Sequence, residues 1–195
     1  MFAGSIPVFR LAGFQVRIDG SWIVFAVLIT WSLARGYFPS VYPGLPESAY
    51  WAMGFVGLIG LALSIVLHEF AHALVARRYE LPVHSITLFI FGGVVEMEGA
   101  PPRPEAEFSM LAAGPIVSFL LALVFYILAL VAIGGGVALL PSIALYLAYV
   151  NFTIAAFNLA PAFPLDGGRV LRAALWGLLG DFGRATQLAC WAATS

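Results

Sequence analysis

The chain contains no lysine: its nine basic residues are all arginines, set against ten acidic residues for a net charge of −1. With no basic block anywhere, nothing points to nucleic acid as a partner. Cysteine occurs once, at Cys190, which excludes an intrachain disulfide and a cysteine-built metal cluster. Charged residues make up only 10% of the 195, whereas a soluble globule carries about 25%. What fills their place is apolar: 62% of the chain is hydrophobic and the mean hydropathy is +0.99. The chain therefore reads as an integral membrane protein whose surroundings are a lipid bilayer.

Four apolar runs are long enough to be membrane-span candidates. Span one covers Ser21 to about Ala34, reaching toward Phe38; span two is Trp51 to Ala76; span three is about Phe108 to Ile133; span four is about Leu139 to Ala160. A fifth apolar helix begins after Asp166, either as one segment to Leu179 or with a restart near Arg184. Before span one, Phe14 to Asp19 alternates like an amphipathic strand, which argues for a retained first helix and against a cleaved signal peptide. The expected fold is an all-α polytopic membrane protein: a helical transmembrane bundle with a small membrane-associated β-hairpin or sheet, forming one domain over residues 1–195.

Arginine placement sets an orientation. Arg10 and Arg17 precede span one, Arg77, Arg78 and Arg103 separate spans two and three, and Arg169, Arg172 and Arg184 follow span four. The opposite loops hold only Arg35 and the uncharged Gly134-Gly135-Gly136. By the positive-inside rule the protein is a multi-pass protein of the cytoplasmic membrane, with its N-terminus and the loop after span two on the cytoplasmic side.

Within span two stands His68-Glu69-Phe70-Ala71-His72, an HExxH pattern. Ionisable groups inside a bilayer cost a few kcal/mol each, so a cluster of three marks a functional site. On a helix, positions i and i+4 share a face about 5 to 6 Å apart, which lets His68 and His72 offer one ring nitrogen each to a single ion. Glu69 is turned about 100° away and suits a water beside the ion better than the ion itself. A zinc ion lowers the pKa of such a water from about 15.7 toward about 7, and Glu69 could pass its proton to a leaving amine. The implied chemistry is amide hydrolysis, roughly 6 to 12 Å below the cytoplasmic edge of the membrane.

A catalytic zinc usually takes three protein ligands. Asp166, which follows Pro161 and Pro164 at the cytoplasmic end of span four, is at the right depth, although an Asp before Gly167-Gly168 also reads as a helix N-cap. Glu96 and Glu98, 24 and 26 residues after His72, are the alternatives. Asn151 and Asn158 share a face of span four; Asn158 could donate a hydrogen bond to a substrate carbonyl or its oxyanion, while Asn151 reads as a link between helices.

Val83 to Phe91 and Val94 to Glu98 read as two strands around a Gly92-Gly93 turn. An open strand edge here, at Gly92 and Gly93, would hold an unwound substrate segment by β-addition. His84 has no partner at ligand spacing and reads as an interfacial histidine.

Taken in order, these motifs resemble the site-2 proteases, intramembrane zinc metalloproteases. The resemblance rests on the HExxH of span two, Phe91-Gly92-Gly93 after it, Gly114-Pro115 on span three, and Asn158-x-x-Pro161-x-x-Pro164-Leu165-Asp166-Gly167-Gly168 closing span four. It extends from about Phe9 to Arg172. It implies one Zn2+ per chain held by His68, His72 and Asp166, with Glu69 as catalytic base. It also implies a substrate that is itself a membrane-spanning segment of another protein. The N-terminal stretch is most similar to the prokaryotic branch whose members often carry C-terminal CBS domains. Those domains are absent here and the last helix or two falls short, so a C-terminally truncated domain is expected; the loop after span two is too short for a PDZ insertion. A different class of function would use the same His, Glu and Asp residues as a metal-ion or proton relay in a transporter.

Overall fold

The computed structural model describes residues 5–90, 92–135 and 139–192. Four of its helices or helical segments are long and apolar enough to cross a membrane. The first runs from Ser21 to Val41: α1 (Ser21–Ser32) passes through a π-helical turn at Leu33–Tyr37 into α2 (Phe38–Val41). It extends several residues past the expected end of span one. The next three are α3 (Glu47–Arg78), α4 (Pro104–Gly134) and α5 (Leu140–Asn158), followed by the shorter α6 (Asp166–Leu179) and α7 (Phe182–Ala192). Of the two readings for the segment after Asp166, the one with a restart is correct: Gly180 takes a left-handed conformation (φ 69°) and ends α6.

The helix ends follow local chemistry. Proline stands in the first turn of α4 and α5, where a missing N–H costs nothing, and Arg77 and Arg78 stand in the last turn of α3, where cations favour the helix dipole. The 32 residues of α3 span roughly 48 Å at 1.5 Å per residue, more than a hydrocarbon core of about 30 Å requires. Large apolar side chains such as Ile23, Val27, Phe119 and Val131 are exposed, a distribution suited to a surface that meets lipid. Helix α4 packs against α3, α5 and α6 and is the central post of the bundle. Buried Asn151 on α5 donates to Ser64 Oγ on α3 at 2.9 Å and to the Leu147 carbonyl at 2.8 Å, which is the helix-linking role expected of it.

The β structure is larger than a hairpin. Strands β1 (Ile6–Leu11), β2 (Phe14–Ile18), β3 (Val83–Phe89) and β4 (Gly92–Met97) form one sheet in that order. β1 and β2 are antiparallel, β2 and β3 parallel, β3 and β4 antiparallel. The expected glycine turn is corrected. Gly92 and Gly93 lie inside β4, opposite Phe89 and Leu88; Ile90 is in a turn after β3, and Phe91 lies outside the described residues. Phe14 and Ile86 pack on Ala73 of α3 with Phe70 and Val95 around them, which fastens the sheet to the helix that carries the HExxH. β4 is the edge strand on the side away from β1.

Candidate metal centre

His68 and His72 occupy one face of α3 and are both buried. Their Nε2 atoms lie 3.2 Å apart, and each is 3.2 Å from Oδ2 of Asp166. The three atoms make a near-equilateral triangle. A zinc ion with bonds of about 2.0–2.1 Å and tetrahedral angles keeps its ligand atoms roughly 3.3 Å apart, so the spacing fits.

Proton bookkeeping points the same way. His72 Nδ1 lies 2.7 Å from the Met110 carbonyl oxygen, which can only accept, so in the neutral ring the proton is on Nδ1 and Nε2 presents a lone pair. His68 Nδ1 meets Ser118 Oγ at 2.9 Å, and a ring donating there would likewise turn a bare Nε2 inward. Two lone pairs and an anion converging on one point are the donor set of a cation site.

Asp166 is the first residue of α6 and makes no capping bond, so of its two expected roles the structure puts its oxygen with the histidines. Glu96 and Glu98 are not near them: Glu96 accepts from Ser85 Oγ at 2.7 Å, and Glu98 pairs with His84 at 3.0 Å. His84 thus has an exposed carboxylate partner and no part in the cluster.

Backbone close to the cluster comes from glycine. A Cβ on Gly114 would run into His72 Nε2 and come within 2.6 Å of His68 Nε2. A Cβ on Gly93 would overlap Cγ of Glu69 and lie 3.0 Å from its Oε1. Glycine here is a matter of room, which turn propensity did not disclose.

Glu69 lies beside a cleft of about 490 Å³ lined by His68, His72, Asp166, Asn158, Arg169 and the β4 residues Gly93, Val94, Val95 and Met97. A second cavity of about 340 Å³ adjoins Glu69, Gly93 and Asn158 and also includes Gly92. Asn158 Nδ2 donates to the Ile154 carbonyl at 2.9 Å, which leaves its second N–H and its side-chain oxygen for the cleft. Sequence reasoning missed Ser118, the Met110 carbonyl and the Glu107–Arg172 pair, since none carries a local signature.

Fold and cluster together define a multi-pass membrane protein with a group of two histidines and one carboxylate that could hold a metal ion. Residues 56–143 and 136–194 match the model of peptidase family M50. The chain belongs to that family. It is 43% identical over 182 residues to the putative zinc metalloprotease Rip3 of Mycobacterium tuberculosis, covering 93% of this chain and 46% of the relative. A zinc metalloprotease of Methanocaldococcus jannaschii is 34% identical over 174 residues, covering 88% and 45% respectively. A solved structure, the site-2 protease from Methanocaldococcus jannaschii, superposes with a TM-score of 0.61 at 32% identity over 95% of this chain and 77% of that one. The chain thus spans about half the length of the curated relatives it matches.

Proposed function

We propose that the chain is a zinc metalloendopeptidase that hydrolyses peptide bonds within or near transmembrane segments of other membrane proteins. The observation that carries this reading is the His68–His72–Asp166 triangle with Glu69 beside it in a cleft bordered by an open strand edge.

His68, His72 and Asp166 would hold one Zn2+, which when bound would supply Lewis acidity toward a water and a substrate carbonyl. Glu69 accepts a proton from the attacking water at its carboxylate and returns it to the leaving amine. Asn158 turns its free N–H toward the substrate carbonyl oxygen, where negative charge develops. β4 receives the substrate as an added strand, with Gly92 and Gly93 allowing its backbone close to Glu69; the pairing matters because a membrane-spanning helix hides its peptide bonds in internal hydrogen bonds until it is unwound. The N-terminus and the site are on the cytoplasmic side, as the arginine distribution indicates.

Replacing Glu69 by Gln tests the reading, since general acid–base catalysis contributes about 10²- to 10⁴-fold. Zinc content should stay at one per chain while cleavage of a co-expressed membrane substrate falls by at least a hundredfold. Cleavage at the parent rate would overturn the mechanism.

A further inference from the structure

Glu107 is fully buried in the first turn of α4, whereas Glu105 beside it is exposed. Its Oε1 pairs closely with Arg172 and lies 3.8 Å from Arg169 Nε, both on α6. Arg172 is held in turn over the rings of Phe182 (4.8 Å) and Phe163 (5.7 Å), the latter in the segment leading to Asp166. One guanidinium therefore ties α4, α6, the start of α7 and the approach to Asp166 together. Arg169 and Arg172 follow Asp166 by three and six residues, roughly 4.5 and 9 Å along the helix.

The same face of α4 serves the other two ligands. Met110, one turn after Glu107, accepts from His72; Gly114 leaves room for both Nε2 atoms; Ser118 meets His68. Positions 107, 110, 114 and 118 recur at helical spacing and form one stripe.

Fold stability alone accounts poorly for the buried charges. A buried ion pair barely repays its desolvation, and here Glu107 Oε2 and Arg172 Nε remain without hydrogen-bond partners among the described residues. A charged pair does fix rotation and register between helices, which apolar contact allows to slide.

We propose that Glu107, through Arg172 and Arg169, is a positioning residue that fixes the register of α6 so that Asp166 meets His68 and His72. The proposal rests on the metal reading of those three residues. α4 is then a template that aligns all three ligands from one stripe.

The test uses the full chain in detergent, loaded with Co2+ for its visible absorption, with Zn2+ affinity measured by chelator competition. Loss of a group hydrogen-bonded to a metal ligand typically costs about 10- to 100-fold in metal affinity, and Glu107, one step further out through Arg172 and Arg169, belongs at the low end of that range. Glu107→Gln should weaken zinc binding by at least tenfold and shift the cobalt band, while exposed Glu105→Gln changes neither. Arg172→Lys, which keeps both charges but loses the planar fork, should shift the band the same way with at least a threefold loss; it decides the matter if Glu107→Gln does not fold. A merely structural clamp would lower the melting temperature and leave band and affinity at parent values, which overturns the proposal. If the parent itself takes up no cobalt, the metal reading falls and this inference with it; parent uptake with unchanged variants sinks this inference alone.

Discussion

Gly114 is the residue at which the metal centre is most exposed to a small change. The space its missing Cβ leaves is filled by the two imidazole tips, so Gly114→Ala must push at least one Nε2 out of the triangle. Zinc affinity should drop by at least tenfold with little loss of helix content, since alanine favours a helix over glycine by about 1 kcal/mol. Chelator competition beside circular dichroism checks this, and parent-like affinity would mean that the imidazoles do not need that space. Residues of this kind divide what was legible in the sequence. His68, Glu69 and His72 were readable because i, i+4 spacing encodes their geometry locally. Asp166 was ambiguous from spacing alone and was named as a ligand only through the family resemblance; the fold puts its oxygen 3.2 Å from both rings. Gly92 and Gly93 were misread as a turn because glycine serves turns and close approaches alike. Ser118 and the Met110 carbonyl could not have been found, because their contacts depend on the register between α3 and α4.

Among the elements, β4 carries the most consequence. It is an edge strand, and its residues 93–95 line the cleft beside Glu69. Along such a strand alternate N–H groups point to β3 and to the open side, so proline substitutions should alternate in effect. Proline at positions whose N–H serves β3 should lower the melting temperature. Proline at an edge-facing position, Val94 or Val95, should leave the melting temperature unchanged and raise KM severalfold in a detergent cleavage assay. If every stability-neutral proline leaves KM at its parent value, β-addition is wrong. The sheet itself was only half legible. Phe14 to Ile18 alternates like a strand, but its parallel pairing with β3, some seventy residues away, has no local signal.

At the scale of the whole molecule, an apolar exterior surrounds a few polar contacts that link the helices, and the proposed direction in which the chain crosses the bilayer rests on the placement of its arginines. Cysteine labelling in intact cells and in inverted vesicles tests this, on a Cys190→Ser background because that is the one natural cysteine. A cysteine replacing exposed Glu98 should label from the cytoplasmic face only, and one replacing exposed Ser48 from the opposite face only. The reverse pattern would place the metal centre at the other surface. The bundle was the most legible level of all, because long apolar runs admit few structures in lipid. The ends of those runs were less so. The first span continues through a π-helical turn to Val41, whereas the hydrophobic run alone suggested Ala34 to Phe38.

The central claim is that one zinc ion is held jointly by two imidazoles from α3 and a carboxylate from the start of α6. X-ray absorption at the zinc edge of the purified chain, with metal content measured on the same sample, tests it most directly. The account predicts one zinc per chain with two imidazole nitrogens and oxygen ligands at about 2.0–2.2 Å, and loss of an oxygen contribution in Asp166→Ala. A zinc environment unchanged by Asp166→Ala, or a chain that retains no zinc, would contradict it.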